Sequence, residues 1–222
     1  MARKNRRNEF AVIGLGRFGS NLARQLVQRG CTVLAIDRDR ALVQSLADEL
    51  TQVVAMDSTD EDALRALDIG AFDVVVVAIG SSFESNLMTT LALKSLGAKR
   101  IICKAMNERQ CTVLLAIGAN EVLLPEQESA RRLAQTLTMP LFVDQIAMGN
   151  RYNITEMKAP ASFVGKKLSE CNLRQNFGVS VVAIEKDNHV IISPPADYVF
   201  EADDRIALVG ANEQIERLGH LE

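Results

Sequence analysis

An apolar stretch, Phe10-Ala11-Val12-Ile13, runs directly into Gly14-Leu15-Gly16-Arg17-Phe18-Gly19, and an acid, Asp37, closes the next apolar stretch, Leu34-Ala35-Ile36. Few short patterns restrict a fold so tightly. A strand must deliver the chain into a tight turn at Gly14. The backbone at Gly16 must be open to phosphate, and the helix after Gly19 must lie close against the sheet. The unpaired amides that open such a helix, together with its dipole, favour an anion. Asp37 ends the second strand, where its carboxylate can accept both hydroxyls of an adenosine ribose. Glycine turns alone are common; strand, turn, helix and acid in this order select a nucleotide site.

The alternation continues. Strand patterns at Phe10–Ile13, Thr32–Ile36, Val53–Ala55, Val74–Ile79, Arg100–Lys104 and Glu121–Leu124 alternate with segments of helical spacing, such as Phe18, Leu22 and Leu26, or Leu87, Leu91, Leu93 and Leu96. Gly30, Gly70, Gly97 and Gly118 stand where helices end, as expected of left-handed caps. Repeated strand–helix units with near-continuous apolar strands imply a doubly wound parallel sheet of Rossmann type over residues 1–138. Pro140 should stop the sixth helix, and Leu141 to Asn150 reads as a connecting helix within a 139–150 linker. From Arg151 to Glu222 the rhythm shortens into a small α+β unit. It comprises a strand near Asn153–Met157, a helix near Val164–Glu170 and a hairpin, Val179–Glu185 with His189–Ser193. A strand at Arg205–Val209 and a final helix capped by Asn212 follow.

Composition excludes some functions. The 222 residues are 48% hydrophobic and 24% charged, enough for real cores. A net charge of −3 disfavours a nucleic-acid surface. The one basic cluster, Arg3, Lys4, Arg6 and Arg7, reads as a solvated tail or as a contact with acidic lipid or a partner. The longest clean apolar run lies within Val74 to Ile79, far short of the roughly twenty residues that a spanning helix needs. Cys31, Cys103, Cys111 and Cys171 have no Cys-x-x-Cys spacing and suit buried free thiols in a reducing cytosol.

In open α/β sheets, ligands sit at the carboxyl ends of strands. Those ends are Gly14–Gly19, Asp37, Asp57-Ser58, Ile79-Gly80-Ser81, Lys104 and Glu126. Their neighbours Phe18, Arg38, Met56 and Ala105 complete the candidate binding set. Asp57-Ser58 could meet the adenine edge or cap the helix that starts near Asp60, as Ser82 could cap the next. Arg17, inside the glycine turn, would face phosphate oxygens with a bidentate fork and favours a terminal polyphosphate. Asp37 repels a 2′-phosphate, which makes NADP the least favoured adenine ligand. Lys104 is either a strand-end cation that reaches solvent or a second ligand for the nucleotide. Glu126 is either a first-turn acid or a carboxylate for a divalent cation. Catalytic groups are sparse: the two histidines, His189 and His220, and Tyr152 and Tyr198 all lie in the second unit. An oxidoreductase needs an acid–base group at its substrate, so the nucleotide reads as a signal rather than a substrate. An NAD-dependent oxidoreductase and a redox-sensing repressor remain the competing classes.

Residues 10–19 resemble the start of the cytosolic gating subunits of Ktr potassium transporters, members of the regulator of K⁺ conductance (RCK) family. The similarity continues through Ala78-Ile79-Gly80, Cys103-Lys104-Ala105, Leu124-Pro125-Glu126, Leu173-Arg174 and Gly178 to Ile184. It implies a Rossmann half and a smaller C-terminal half, without enzymatic activity. It also implies an octameric ring, a tetramer of dimers, docked on a potassium-translocating subunit at the inner face of the membrane. ATP or ADP would bind the N-terminal halves, with NADH as an alternative ligand. By the resemblance, Asp37 takes the ribose, Arg17 reaches a γ-phosphate, Lys104 lines the pocket and Glu126 helps hold Mg²⁺ or Ca²⁺. In some relatives cyclic di-AMP binds the C-terminal halves through an arginine matching Arg174; Asn176 falls where relatives often carry lysine. Gln110 replaces a histidine, Asp57 an asparagine, and Asp203-Asp204 a Gly-Asp turn.

Overall fold

The computed structural model describes residues 9–139, 141–149 and 151–221. The basic cluster at Arg3 to Arg7 and the helix-stopping Pro140 lie outside them. The chain separates into two compact units that divide between Gln127 and Glu128.

The first unit is a six-stranded sheet in the order β3-β2-β1-β4-β5-β6. Its strands are β1 (Glu9–Ile13), β2 (Thr32–Asp37), β3 (Gln52–Ala55), β4 (Val74–Val77), β5 (Ile101–Lys104) and β6 (Glu121–Leu123), and every pairing is parallel. Between them run α1 (Arg17–Gln28), α2 (Arg40–Leu46), α3 (Glu61–Ala66), α4 (Phe83–Ser95) and α5 (Glu108–Ala116), and α6 (Pro125–Thr138) follows β6. Parallel strands require such crossovers, and the helices bury both faces of the sheet. Strand alternation divides the side chains: Ala11, Ile13, Leu34 and Ile36 join one core with Leu64, Leu93 and Leu114, while Val12, Val33 and Ala35 join Leu15, Ala23 and Leu46 in another. The order of strands reverses direction between β1 and β4, which creates the switch point.

Gly30, Gly97 and Gly118 take the left-handed conformation expected of them. Gly70 does not. It sits in a 3₁₀ turn, Ile69–Ala71, and Asp68 adopts φ 51° in its stead. Gly70 is needed for close approach: a Cβ there would lie 2.7 Å from the Leu96 carbonyl oxygen. Asp60 caps α3 by accepting from the Asp62 and Ala63 amides, so Asp57 is not the cap, whereas Ser82 does cap α4.

The second unit is an antiparallel sheet in the order β10-β9-β11-β8-β7. It comprises β7 (Phe142–Met148), β8 (Tyr152–Lys158), β9 (Ser180–Lys186), β10 (His189–Ile192) and β11 (Arg205–Ala211), with α7 (Leu173–Phe177) and α8 (Asn212–Gly219). The expected connecting helix over 141–150 is therefore wrong: seven of those residues form β7, paired to β8 from Phe142↔Met157 to Met148↔Tyr152. Gly149, at φ 72°, provides the reversal between the two strands. The expected helix over 164–170 is also absent. Gly165 and Leu168 donate backbone bonds to Phe200 and Tyr198, and Lys167 bridges Val199, so that backbone is committed to strand-like pairing. Helical structure falls instead at Ala161–Phe163 and in α7. The hairpin β9–β10 turns through Asp187 and Asn188, both with positive φ, the geometry that matches strand twist. Asn212 does not cap α8; Ala211 occupies that position and its amide donates to Gln214.

Cys103 and Cys171 are buried, and Cys31 and Cys111 half-buried, all as free thiols. Burial pushes the Cys103 thiol up to about 11, which suppresses its thiolate.

One buried acid organises the second core. Asp204 is 2% exposed, and its Oδ2 accepts from the Tyr198 hydroxyl at 2.9 Å and the Glu201 amide at 2.8 Å. Its neighbour Asp203 takes φ 67°, the conformation that a glycine would adopt freely. Burial first, and then the Asp204 hydrogen bond, push the Tyr198 phenol up from 10.0 to about 12. Because the folded value lies above the unfolded one, this stabilisation is complete below pH 10 and is lost as pH rises towards 12. Tyr198→Phe is expected to cost about 1–3 kcal/mol at neutral pH by stripping a donor from a buried carboxylate. It should also flatten the alkaline loss, as measured by urea denaturation across pH.

Candidate functional site

The candidate site lies at the carboxyl ends of β1 to β6, beside the switch point. The turn after β1 is held on both sides: the Gly14 amide donates to the Ile36 carbonyl at 2.8 Å, and the Ala78 amide to Ile13 at 2.7 Å. Gly14 has φ 93°, and a Cβ on it would come within 2.9 Å of the Ile79 nitrogen. Gly19 is tighter still, since its Cβ would lie 1.9 Å from the Gly14 carbonyl oxygen. Gly16 differs from both. It is the N-cap of α1, and a Cβ there meets nothing within 4 Å. Two glycines thus satisfy the protein's own packing, and the third leaves open space at a helix N-terminus. The first turn of α1 holds no acid to neutralise its dipole, so the site fits a phosphate group.

Arg17 is exposed on this turn, and among the described residues its guanidinium makes no ion pair or hydrogen bond. Asp37 is committed in part: Oδ2 accepts from the Leu15 amide at 2.6 Å and Oδ1 from the Asp39 amide at 2.9 Å. Each oxygen retains a lone pair, so the acid both fastens the glycine turn to β2 and can accept from a ligand. The cleft beside it is lined by Gly14, Asp37, Arg38, Met56, Asp57, Ser58 and Ile79, together with Ile13, Ile36 and Ser85. Asp57 accepts from the Thr59 amide and hydroxyl, which hold its carboxyl below the usual range, and Arg38 adds to this. Ser58 is buried and bonded to Thr89 at 2.9 Å, so its hydroxyl turns towards α4.

A second cation lies at the ends of β4 and β5. Lys104 Nζ lies 2.5 Å from Glu126 Oε1 and 5.9 Å from the Phe18 ring centre. A Cβ on Gly80 would lie 3.6 Å from the same ammonium. Lys104 is thus enclosed by the ends of β4 and β5, by α1 and by the start of α6. Its side chain is 12% exposed, against 70% for Glu126. The hydrogen bond from Lys104 holds the Glu126 carboxyl below its ordinary range. Among the described residues no group of three or more His, Cys, Asp or Glu side chains is clustered for a metal.

Of the candidate set, Gly16, Arg17, Phe18, Gly19, Gly80, Ser81, Lys104, Ala105 and Glu126 do not line the cleft beside Asp37. Ala105 is 1% exposed, and its amide bonds to Leu123, so it is core. Ser81 is exposed but does not line the cleft. Conversely, sequence reasoning missed Asn86, which is 2% exposed and donates to the carbonyls of Ile79 at 3.0 Å and Lys104 at 2.9 Å. It clamps the ends of β4 and β5 together. The signal was present as Asn86, Thr89 and Thr90, three polar residues on the buried side of α4. In the second unit, Arg174 lines a groove with Asn172, Ser180 and Pro194 and donates to the Ser180 hydroxyl. Asn176 does not line that groove.

Residues 10–125 match the model of the TrkA-N domain, and residues 155–221 that of the TrkA-C domain. The chain belongs to the regulator of K⁺ conductance family. It is 36% identical to Ktr system potassium uptake protein C of Bacillus subtilis over 95% of this chain and 96% of the relative. To Ktr system potassium uptake protein A of Vibrio alginolyticus it is 30% identical, over 93% and 94%. These RCK relatives are named as potassium-uptake proteins, not as enzymes. The fold is shared with the GsuK channel bound to NAD, at TM-score 0.66 and 21% identity, across 99% of this chain and 40% of the channel chain. No helix among the described residues is long and apolar enough to cross a membrane.

The three glycines should separate by experiment. Gly19→Ala is expected to destabilise the first unit by about 1–3 kcal/mol or more, because the clash is with backbone. Gly16→Ala should melt as wild type yet lose nucleotide affinity, because its methyl enters the open phosphate position. Thermal denaturation and nucleotide titration of both variants check this.

Proposed function

We propose that this chain is the nucleotide-sensing regulatory subunit of a potassium-uptake system. It binds ATP or ADP in the first unit, with NADH as the alternative ligand. It acts in the cytoplasm, at the inner face of the membrane, on a potassium-translocating subunit. In this reading the nucleotide is bound by the first unit, which ends at Gln127, and residues 142–148 serve as a strand of the second unit rather than as a linker. The working assembly is an octameric ring, a tetramer of dimers. The potassium-uptake names of the RCK relatives support the partner, and NAD bound to a protein of the same fold supports the class of ligand.

The observation that carries the choice of ligand is the uneven distribution of charge along the cleft. At the ribose end, Asp37 serves any adenosine and repels a 2′-phosphate. At the phosphate end, Arg17 is an unpaired cation beside an open helix N-terminus, and Lys104 is a second cation whose charge Glu126 balances. The uncompensated Arg17 suits a terminal polyphosphate better than a dinucleotide, whose bridging phosphates carry two charges. Glu126 is the acid nearest Lys104 and would share a Mg²⁺ or Ca²⁺ with phosphate oxygens. The groove around Arg174 supports a second, cyclic di-AMP site in the C-terminal half. Asn176 adds nothing to that groove and is an outlying candidate.

Binding measurements separate the ends of the cleft. Asp37→Asn keeps an oxygen for the Leu15 amide but removes the charge, and should weaken ATP and ADP alike by about 1.5–3 kcal/mol. Arg17→Ala should weaken ATP much more than ADP; equal losses would reduce Arg17 to a surface residue. NADP is expected to bind worst in titration calorimetry, and its emergence as the tightest ligand would overturn this reading.

The switch has its own test. Glu126→Gln keeps the shape and removes the charge that a hard cation needs. With the membrane subunit in liposomes, potassium flux with ATP should lose its response to Mg²⁺ or Ca²⁺, while ADP affinity stays near wild type. Flux that still rises with divalent ions would leave Glu126 as a helix-start acid paired to Lys104.

A further inference from the structure

The second unit contains a cavity of about 610 Å³ between α6, β7 and the start of α8, remote in sequence from the glycine turn and from the Arg174 groove. Its size falls in the range of small-molecule sites. Three kinds of surface meet in it. Met139, Phe142 and Ile215, each less than a tenth exposed, form an apolar floor.

A file of amides crosses one wall. Asn153, 8% exposed, donates to Gln145 at 3.2 Å, and Gln145 donates to Gln135 at 2.9 Å. Directed this way, the file leaves an acceptor at Asn153 and a donor at Gln135.

The third surface is a pair of opposite charges, Arg131 from α6 and Glu216 from α8. Among the described residues neither makes an ion pair or a side-chain hydrogen bond. The adjacent Arg132, by contrast, is paired with Asp144 at 3.0 Å. An unpaired cation and an unpaired anion on different helices, facing one cavity with an apolar floor, form the complement of a small zwitterion.

We infer that this cavity binds a free α-amino acid with an apolar side chain. Its carboxylate is held by Arg131, its ammonium by Glu216, and its side chain lies on Met139, Phe142 and Ile215. The amide file offers further hydrogen bonds to the two charged groups. This goes beyond the nucleotide reading, since no residue of the cavity belongs to the nucleotide cleft, and it gives the second unit a sensory input of its own.

Calorimetric titration of the full chain with the standard amino acids tests it, using N-acetyl-L-methionine and L-methionine methyl ester as probes that each lack one charge. L-methionine or L-leucine should bind saturably, about tenfold or more tighter than either single-charge probe. Arg131→Ala and Glu216→Gln, both at exposed positions, should each weaken that binding about tenfold while ATP and ADP affinities remain at wild-type values. Failure of every apolar amino acid to bind would overturn the assignment. Equal binding of the single-charge probes would do the same, as would wild-type affinity in both variants. Binding confined to amino acids with polar or charged side chains would remove the role given to the apolar floor. Loss of nucleotide binding alone, in a preparation that still takes up methionine, would count against the nucleotide reading and leave this one standing.

Discussion

The contact on which the first unit depends is the one between Gly19 and the Gly14 carbonyl, where a single added carbon would sit 1.9 Å from oxygen. That approach presses α1 onto the mouth of β1 and aims its amides outward. The Asp37 carboxylate completes the arrangement by accepting from the Leu15 amide within the same turn. One acid therefore fixes the relative placement of β1, β2 and α1 before any ligand arrives. The cost of ordering the loop is met by the fold, so binding need not supply it.

A similar economy governs the far side of the cleft. Lys104 is an ammonium with little access to water, and such a group needs partners. Glu126 supplies charge and Phe18 an aromatic face. Asn86, beneath them, ties together the strand ends that carry Ile79 and Lys104. Buried polar groups of this kind hold geometry when fully bonded, and Asn86 uses both amide hydrogens. The site is thus a frame of backbone and amide clamps that presents a few charged side chains.

Much of that frame was legible in the sequence. Gly14, Gly16, Gly19 and Asp37 carry constraints that only one local structure satisfies, and the strand–helix rhythm fixed the parallel sheet with them. What is not legible there depends on partners distant in sequence. Phe142–Met148 has the composition of a mixed segment, and it becomes a strand because β8 offers it a ladder across Gly149. Val164–Glu170 has helical spacing, but its backbone is claimed by Tyr198 and Phe200, distant in sequence. The place of Gly70 at a helix end suggests a left-handed cap, but its role is space, set by the Leu96 carbonyl. Ala105 follows a site lysine in sequence yet points into the core, because successive strand residues face opposite ways. Local chemistry is written locally; pairing and clearance are not.

On the proposed reading, the distribution of charge also determines what can act as a signal. A ligand shifts an equilibrium only by its differential affinity for the two states. Asp37 contacts a part that ATP and ADP share, and so it sets affinity without distinguishing them. Arg17, Lys104 and Glu126 occupy the end where the two nucleotides differ by one phosphate. Of these, Lys104 is the most constrained, because it is enclosed and already bound to Glu126. A γ-phosphate that drew Lys104 towards itself would leave the Glu126 carboxylate with an unbalanced charge, and Glu126 would then be the residue to hold a divalent cation, which would supply the compensating positive charge. Discrimination between the nucleotides would then reside in whether the Lys104–Glu126 ion pair is kept or given up, at a place where Lys104 of β5 meets Phe18 of α1 and Glu126 of α6 and where a change of partner is felt by all three elements.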